Sequence, residues 1–292
     1  MGIGEKCRTY LLVIFAFLLT ALPGWALSVV QESVTIDNTD GTELNYKLYS
    51  NNTATLLGAS EDISVLNIPA IVTYEEEEYT VTKIGNYAFR GKSSLTSISG
   101  GENITEIGYK AFSGCSVLTG NIVFNNVINI GEDAFYGCGD GELYLTFNNL
   151  ECEKIGSSAF KSFNGTVNLD GNVNYIQNNA FYNENHHENF QVNANLRGIT
   201  IIDGINFYDI KGGDISLEVN SVDIYEYTFY SCSASIKISG TIQNIIQGAF
   251  GSCSAGINIS GTIQSIGNEA FNNCNETIIE LYNSSIISID NN

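Results

Sequence analysis

The sequence predicts a solenoid of about nine coils, mostly β, and three observations predict it. Phenylalanines recur every 21 to 26 residues, at Phe89, Phe112, Phe135, Phe160, Phe181, Phe207, Phe229, Phe250 and Phe271. An isoleucine stands five residues before each, at Ile84, Ile107, Ile130, Ile155, Ile176, Ile202, Ile224, Ile245 and Ile266. Between phenylalanines the chain alternates β-branched and polar residues, as in Ile215/Leu217/Val219 and Ile257/Ile259. Such alternation marks a strand with one buried face.

The elements follow in chain order. Residues 1–26 read as a secretory signal peptide: Lys6 and Arg8 are basic, Leu11 to Ala21 is apolar, and Gly24-Trp25-Ala26 offers small residues for cleavage. The apolar stretch falls short of the roughly 20 residues that span a bilayer. No second run of that length follows, so the mature chain is expected to lack a transmembrane segment and to be secreted, or held at the cell surface, as a monomer. Residues 27–80 read as a β-rich N-terminal cap. Ser33–Ile36 and Asn45–Tyr49 alternate like strands around the turn signal Asn38-Thr39-Asp40-Gly41. Residues 81–275 hold the nine repeats, and 276–292 begin a tenth coil without a phenylalanine, either a terminal cap or an incomplete coil.

Within one coil, period-two alternation predicts one strand in a parallel sheet of nine to ten short strands. The Ile-x-x-x-Ala-Phe segment predicts a short helical or 3-10 turn on the second side. Residues 238–258 and 259–279 show the plan, with 11 of 21 positions identical. Glycine after the isoleucine in five units (Gly85, Gly108, Gly131, Gly156, Gly267) suits a sharp turn. The isoleucines and phenylalanines are read as structural core, each buried ring contributing roughly 1.5–3 kcal/mol. Cys115, Cys138, Cys232, Cys253 and Cys274 each lie three residues after a phenylalanine. Such positions project in parallel, so the cysteines are expected to be mostly unpaired, buried thiols.

Charge narrows the partners. Loss of Glu5, Lys6 and Arg8 with the leader leaves 31 acidic against 10 basic residues, a net −21 where the whole chain carries −20. Anionic membrane and nucleic acid both demand a basic footprint and are poor partners, so no nucleic acid is expected among them. Six N-x-S/T sequons, at Asn51, Asn103, Asn164, Asn258, Asn275 and Asn283, are candidate glycan acceptors.

A search for chemistry finds no catalytic residue, no cofactor site and no metal site. His186 and His187 are the only histidines and sit side by side in an irregular insertion between Glu184 and Glu188. Residues 37–43 lack the spacing of a calcium loop. Glu75–Glu78 reads as a solvated turn or as a dock for a basic partner. Binding candidates are instead outward strand positions, which stacking lines up into one face: Thr96, Ser97, Asn168, Ser216, Glu218, Lys237 and Asn258. Tyrosines one place after the phenylalanine form a second set, Tyr136, Tyr182, Tyr208 and Tyr230, since exposed aromatics anchor protein or sugar ligands.

The unit Ile107-Gly108-Tyr109-Lys110-Ala111-Phe112-Ser113-Gly114-Cys115, repeated at Ile130–Cys138, resembles the BspA-like leucine-rich-repeat family of microbial surface antigens. Two departures stand out. Only Pro69 keeps the proline usual after the strand, with Gly100, Gly171, Gly240 and Gly261 elsewhere, and the units around Phe181 and Phe207 lack the cysteine. The resemblance implies a leucine-rich-repeat solenoid, an α/β superhelix. It also implies a secreted or surface protein that adheres to host matrix proteins or other cells, through a protein or glycan ligand. The alternatives are a structural or antigenic coat component with no dedicated ligand and, last, an enzyme or enzyme inhibitor.

Overall fold

The computed structural model describes residues 28–274 and 278–289. The leader read over residues 1–26 lies outside them. The chain opens with an antiparallel meander of β1 (Val29–Asp37), β2 (Glu43–Tyr49) and β3 (Thr53–Ala59). The β1–β2 turn is closed by Asn38, whose N–H donates to the Thr42 carbonyl at 2.8 Å, and by Asp40, whose Oδ1 accepts from the Thr42 N–H at 2.9 Å. After β4 (Val65–Ile68), strands β5 (Ile71–Tyr74) and β6 (Glu77–Ile84) form a hairpin that turns on Glu75 and Glu76. Both turn residues have positive φ, 50° and 69°, as a tight hairpin requires. The acidic run is thus a hairpin tip. β6 is the point of changeover: it runs antiparallel to β5 but parallel to β3.

The strands that follow are β7 (Ser97–Gly100), β8 (Glu106–Ile107), β9 (Gly120–Asn125), β10 (Asn129–Ile130), β11 (Leu143–Ile155) and β12 (Gly165–Ile176). Then come β13 (Gln191–Ile199), β14 (Ile201–Ile202), β15 (Asp214–Ile224), β16 (Ser235–Ile245), β17 (Ile257–Ile266) and β18 (Ile279–Ile289). From β6 onward the coil-to-coil pairings are parallel, and the main sheet has sixteen strands with β1 and β18 at its ends. This exceeds the nine to ten strands expected, because the cap adds β1, β2, β3, β5 and β6 to the same sheet and two coils contribute two segments each, β9 with β10 and β13 with β14; later coils are one long strand folded at a corner. In β11 the inward side chains are Leu143, Leu145 and Phe147, then Leu150 and Cys152; the phase slips by one residue where the register also steps. A glycine holds the corner in later coils. Gly240 has φ +112°, and a Cβ there would stand 2.0 Å from the Val219 carbonyl oxygen, which no side chain tolerates.

Each repeat isoleucine, from Ile84 to Ile266, therefore ends a strand of the second wall and does not begin a helical turn. No helix occurs among the described residues. The arm that carries Ala-Phe is a chain of tight turns, with backbone N–H groups bonded alternately within the coil and to the next one. Ala88, Arg90 and Lys92 donate three residues back, to Gly85, Tyr87 and Phe89. Tyr87, Phe89 and Gly91 donate instead to the carbonyls of Tyr109, Ala111 and Ser113 on the next coil. A helix would spend all of these donors locally. The alternation needs left-handed residues two places before and after the phenylalanine, such as Tyr87 (φ 60°) with Gly91 (70°) and Lys110 (53°) with Gly114 (80°). The glycines after the isoleucine are not left-handed. They serve close approach: a Cβ on Gly131 would lie 2.6 Å from the Gly108 carbonyl carbon.

Inside, the phenylalanines form one column. Neighbouring rings lie 4.9 to 5.6 Å apart with planes within 15° of parallel, from Phe89 to Phe271. All are fully buried except Phe271, which is partly covered. The thiols of Cys115, Cys138, Cys253 and Cys274 donate to the carbonyl of the phenylalanine one coil back, at 3.2, 3.0, 3.0 and 2.9 Å. None of the six described cysteines is joined in a disulfide. In the irregular unit Asn206 replaces alanine and is fully buried. Its Nδ2 donates to the Asp203 carbonyl at 2.7 Å and its Oδ1 accepts from the Ala180 N–H at 3.0 Å, so the polar substitution is satisfied.

Candidate binding face

Parallel stacking in register converts single outward residues into columns. Asn168 pairs with Thr146 on one side and Asn193 on the other. The adjacent column runs Asp170, Asn195, Ser216, Lys237, Asn258, Glu280. A third holds Glu218, Ser239, Ser260 and Tyr282. Five of the residues singled out from sequence thus share one wall, in three neighbouring columns.

Stacked amides bond one another along the columns. Asn168 Nδ2 donates to Thr146 Oγ1 at 3.1 Å, and Asn193 Nδ2 donates to Asn168 Oδ1 at 2.8 Å. Asn193 Oδ1 in turn accepts the Asp214 N–H at 3.1 Å. In the second column Asn195 Nδ2 donates to Asp170 Oδ1 at 2.7 Å, and Arg197 Nη1 lies 3.4 Å from the same oxygen. Asn258 Nδ2 reaches Glu280 Oε2 at 3.1 Å. Each bond uses one hydrogen or lone pair and leaves the others facing out, so the ladder holds its side chains in place while staying available.

Between the first two columns lies an open depression of about 400 Å³, lined by Thr146, Asn148, Asn168, Asp170, Asn193, Asn195, Asp214 and Ser216, with Phe147, Leu169 and Ala194 among its apolar wall residues. Asn168 and Ser216 are among the outward strand positions named above; the other six polar residues are not. Their signal was present: each alternates with a buried residue along β11 to β15. Tyr144 was also missed. It is 49% exposed, on the same strand two residues before Thr146, and pairs with Asn121 and Thr166.

The remaining candidates fall elsewhere. Thr96 precedes β7, and its hydroxyl is committed to the Ser64 carbonyl at 2.8 Å; Ser97 pairs with Val65 in the small sheet. Tyr182, Tyr208 and Tyr230 form a contiguous stack on the turn arm, with centroids 4.9 and 5.6 Å apart. Tyr136 lies two coils before Tyr182, with Lys161 at the intervening place.

Groups with catalytic potential are held in structural roles. His186 Nδ1 lies 2.7 Å from Asp209 Oδ2, and Lys211 Nζ lies 2.9 Å from Asp209 Oδ1, so the buried carboxylate ties down the insertion. Burial pushes the thiols up, Cys152 to about 11 and Cys232 to about 12, which keeps them protonated and poor nucleophiles. No helix among the described residues is long and apolar enough to cross a membrane.

A family model for the BspA-type leucine-rich repeat region matches residues 82–202 and 222–292, in six copies. The unmatched stretch between them holds Phe207 and the Asn206 departure. Two solved structures are similar to this chain at low identity. One is a leucine-rich cell surface protein from Faecalibacterium prausnitzii A2-165, at 18% identity and a TM-score of 0.41, covering 85% of this chain and 95% of that one. The other is a leucine-rich repeat protein from Bacteroides ovatus ATCC 8483, at 17% identity and 0.31, covering 89% and 90%. No curated protein matches the chain.

Proposed function

Because the chain belongs to the BspA-type leucine-rich repeat family, we propose that it is an exported binding protein that engages a protein or glycan on a host cell, a matrix or another cell through its first sheet wall. The observation that carries this reading is the amide-lined depression over β11 to β15. A wall serving only as a coat has no need of a recess floored by apolar side chains and rimmed by ordered amides and two carboxylates. Such a site recognises hydroxyl and amide groups, which use donors and acceptors together. Its affinity comes from shape and several polar contacts, not from one anchor. The acidic surface adds selection against anionic partners, worth more at low salt than at high.

The test is capture of matrix proteins, glycans and cell surfaces by the chain from residue 27 onward, at two salt concentrations. Saturable binding that survives the higher salt supports the reading. Its absence at both concentrations for every target favours the coat-component alternative.

A further inference from the structure

The turn arm carries a second surface, separate from the sheet wall. On successive coils the place after the phenylalanine is filled by Lys161, Tyr182, Tyr208 and Tyr230. The Lys161 ammonium lies 5.3 Å from the Tyr182 ring centre. Tyr182 meets Tyr208 edge-to-face at 4.9 Å, Tyr208 stacks on Tyr230 at 5.6 Å, and Tyr227 meets Tyr230 edge-to-face at 5.2 Å. The next coil has glycine beneath both outer rings: a Cβ on Gly251 would come within 2.8 Å of Tyr230 Cδ2, and one on Gly248 within 3.4 Å of Tyr227 Cε1. The two rings therefore rest on bare backbone, with Tyr227 39% exposed. Glu226, exposed, precedes Tyr227 in the chain, and its carboxylate raises the pKa of the Tyr227 hydroxyl.

The same arm shows what its tyrosines do when a cation is within reach. Arg90 sits 5.7 Å over the Tyr87 ring and Lys110 sits 4.9 Å over Tyr109. Tyr87 and Arg90 hold, relative to Phe89, the places that Tyr227 and Tyr230 hold relative to Phe229. Where the first coil supplies its own guanidinium, the later coil supplies a ring. Beyond Lys211 the chain contains one cation, Lys237, against eight carboxylates, and Lys237 stands on the sheet wall. Aromatic faces in an anionic field attract a cation, and among the described residues no lysine or arginine lies over the Tyr208, Tyr227 or Tyr230 ring.

We propose that Tyr208, Tyr227, Tyr230 and Glu226 form a docking patch for arginine or lysine side chains of a cationic partner polypeptide. The rings supply the cation–π face and Glu226 the counter-charge. The patch is independent of the depression on the sheet wall.

The experiment titrates the protein with a short oligo-arginine peptide and with a neutral peptide of equal length, by calorimetry at about 0.15 M salt, where long-range charge effects are screened. Wild type is expected to bind the cationic peptide only. Tyr227→Ser with Tyr230→Ser, which leaves net charge unchanged, is expected to weaken binding about tenfold. Tyr227→Phe with Tyr230→Phe keeps the rings and is expected to stay within about threefold of wild type. Glu226→Gln, on an exposed side chain that does not endanger folding, is expected to weaken binding several-fold. Asn195→Gln with Ser216→Gln, on the sheet wall, is expected to leave it unchanged. Equal binding by wild type and the serine variant, or equal loss in the phenylalanine and serine variants, overturns the proposal.

Discussion

Truncation of a central ring, Phe160→Ala, is expected to be among the most damaging single changes in this chain. Phe160 is fully buried and touches four other rings. It stacks on Phe135 at 5.6 Å and on Phe181 at 5.2 Å, and meets Phe147 at 5.8 Å and Phe163 at 6.3 Å edge-to-face. Removing a buried phenylalanine costs about 3–5 kcal/mol in lost transfer energy and residual cavity. Each aromatic pair adds roughly 0.5–1.5 kcal/mol beyond area, which places this site at the upper end. Collapse is opposed because coils above and below are pinned by N–H bonds from Phe135 to Ala159 and from Phe160 to Ala180, both 2.8 Å. Phe271→Ala is the internal control: that ring is only partly buried and, among the described residues, stacks on Phe250 alone at 5.0 Å. Its loss is expected to cost about half as much or less. Urea unfolding followed by far-ultraviolet circular dichroism compares the two midpoints, and because repeats can unfold piecewise, the slope is compared too. Equal midpoints for the two variants would refute the idea that the column is a graded, neighbour-supported core.

Three further outcomes are expected. Gly240→Ala is expected to cost about 3 kcal/mol or more, from a left-handed φ and a clash with the Val219 carbonyl, whereas Gly91→Ala, left-handed but in open space, is expected to cost only about 1–2; thermal melts check the contrast. Ser158→Gly is expected to raise stability by about 0.5–1 kcal/mol, because Ser158 has φ 55° and the equivalent place is already glycine at Gly248; a lower melting temperature would contradict this. Burial raises the folded-state pKa of Cys152 and Cys232 to about 11 and 12 from an ordinary 9. The unfolded chain therefore holds fewer protons above pH 9, so stability present below that pH is lost as pH rises toward 12. Cys152→Ala with Cys232→Ala is expected to lose less melting temperature between pH 8.5 and 11 than wild type does.

The period, the ring column and the single-faced strands were legible because they are local or strictly repeated. The second wall was not. Ile-x-x-x-Ala-Phe fits a helical turn as well as a strand end, and what decides is the bonding of Tyr87, Phe89 and Gly91 to the next coil, more than twenty residues away. The glycines misled for a related reason. Gly108 and Gly131 suit a turn by sequence, yet the left-handed backbone falls on residues such as Tyr87 and Lys110, which carry no turn signal, while those glycines admit a neighbouring backbone. The depression was half legible. Asn168 and Ser216 alternate with core residues, but their placement beside Asp170, Asn193 and Asp214 depends on a register set by corners of unequal length between coils.

The sheet wall is tested most directly by lengthening two short side chains in the depression without changing charge. Beads coated with wild type, or with the Asn195→Gln and Ser216→Gln variant, are compared for adhesion to matrix-coated and cell-coated surfaces, with matched melting temperatures. Adhesion by wild type that drops at least about tenfold in the variant is the expected result for a filled binding recess. Adhesion that is undiminished in the variant would contradict recognition through this wall.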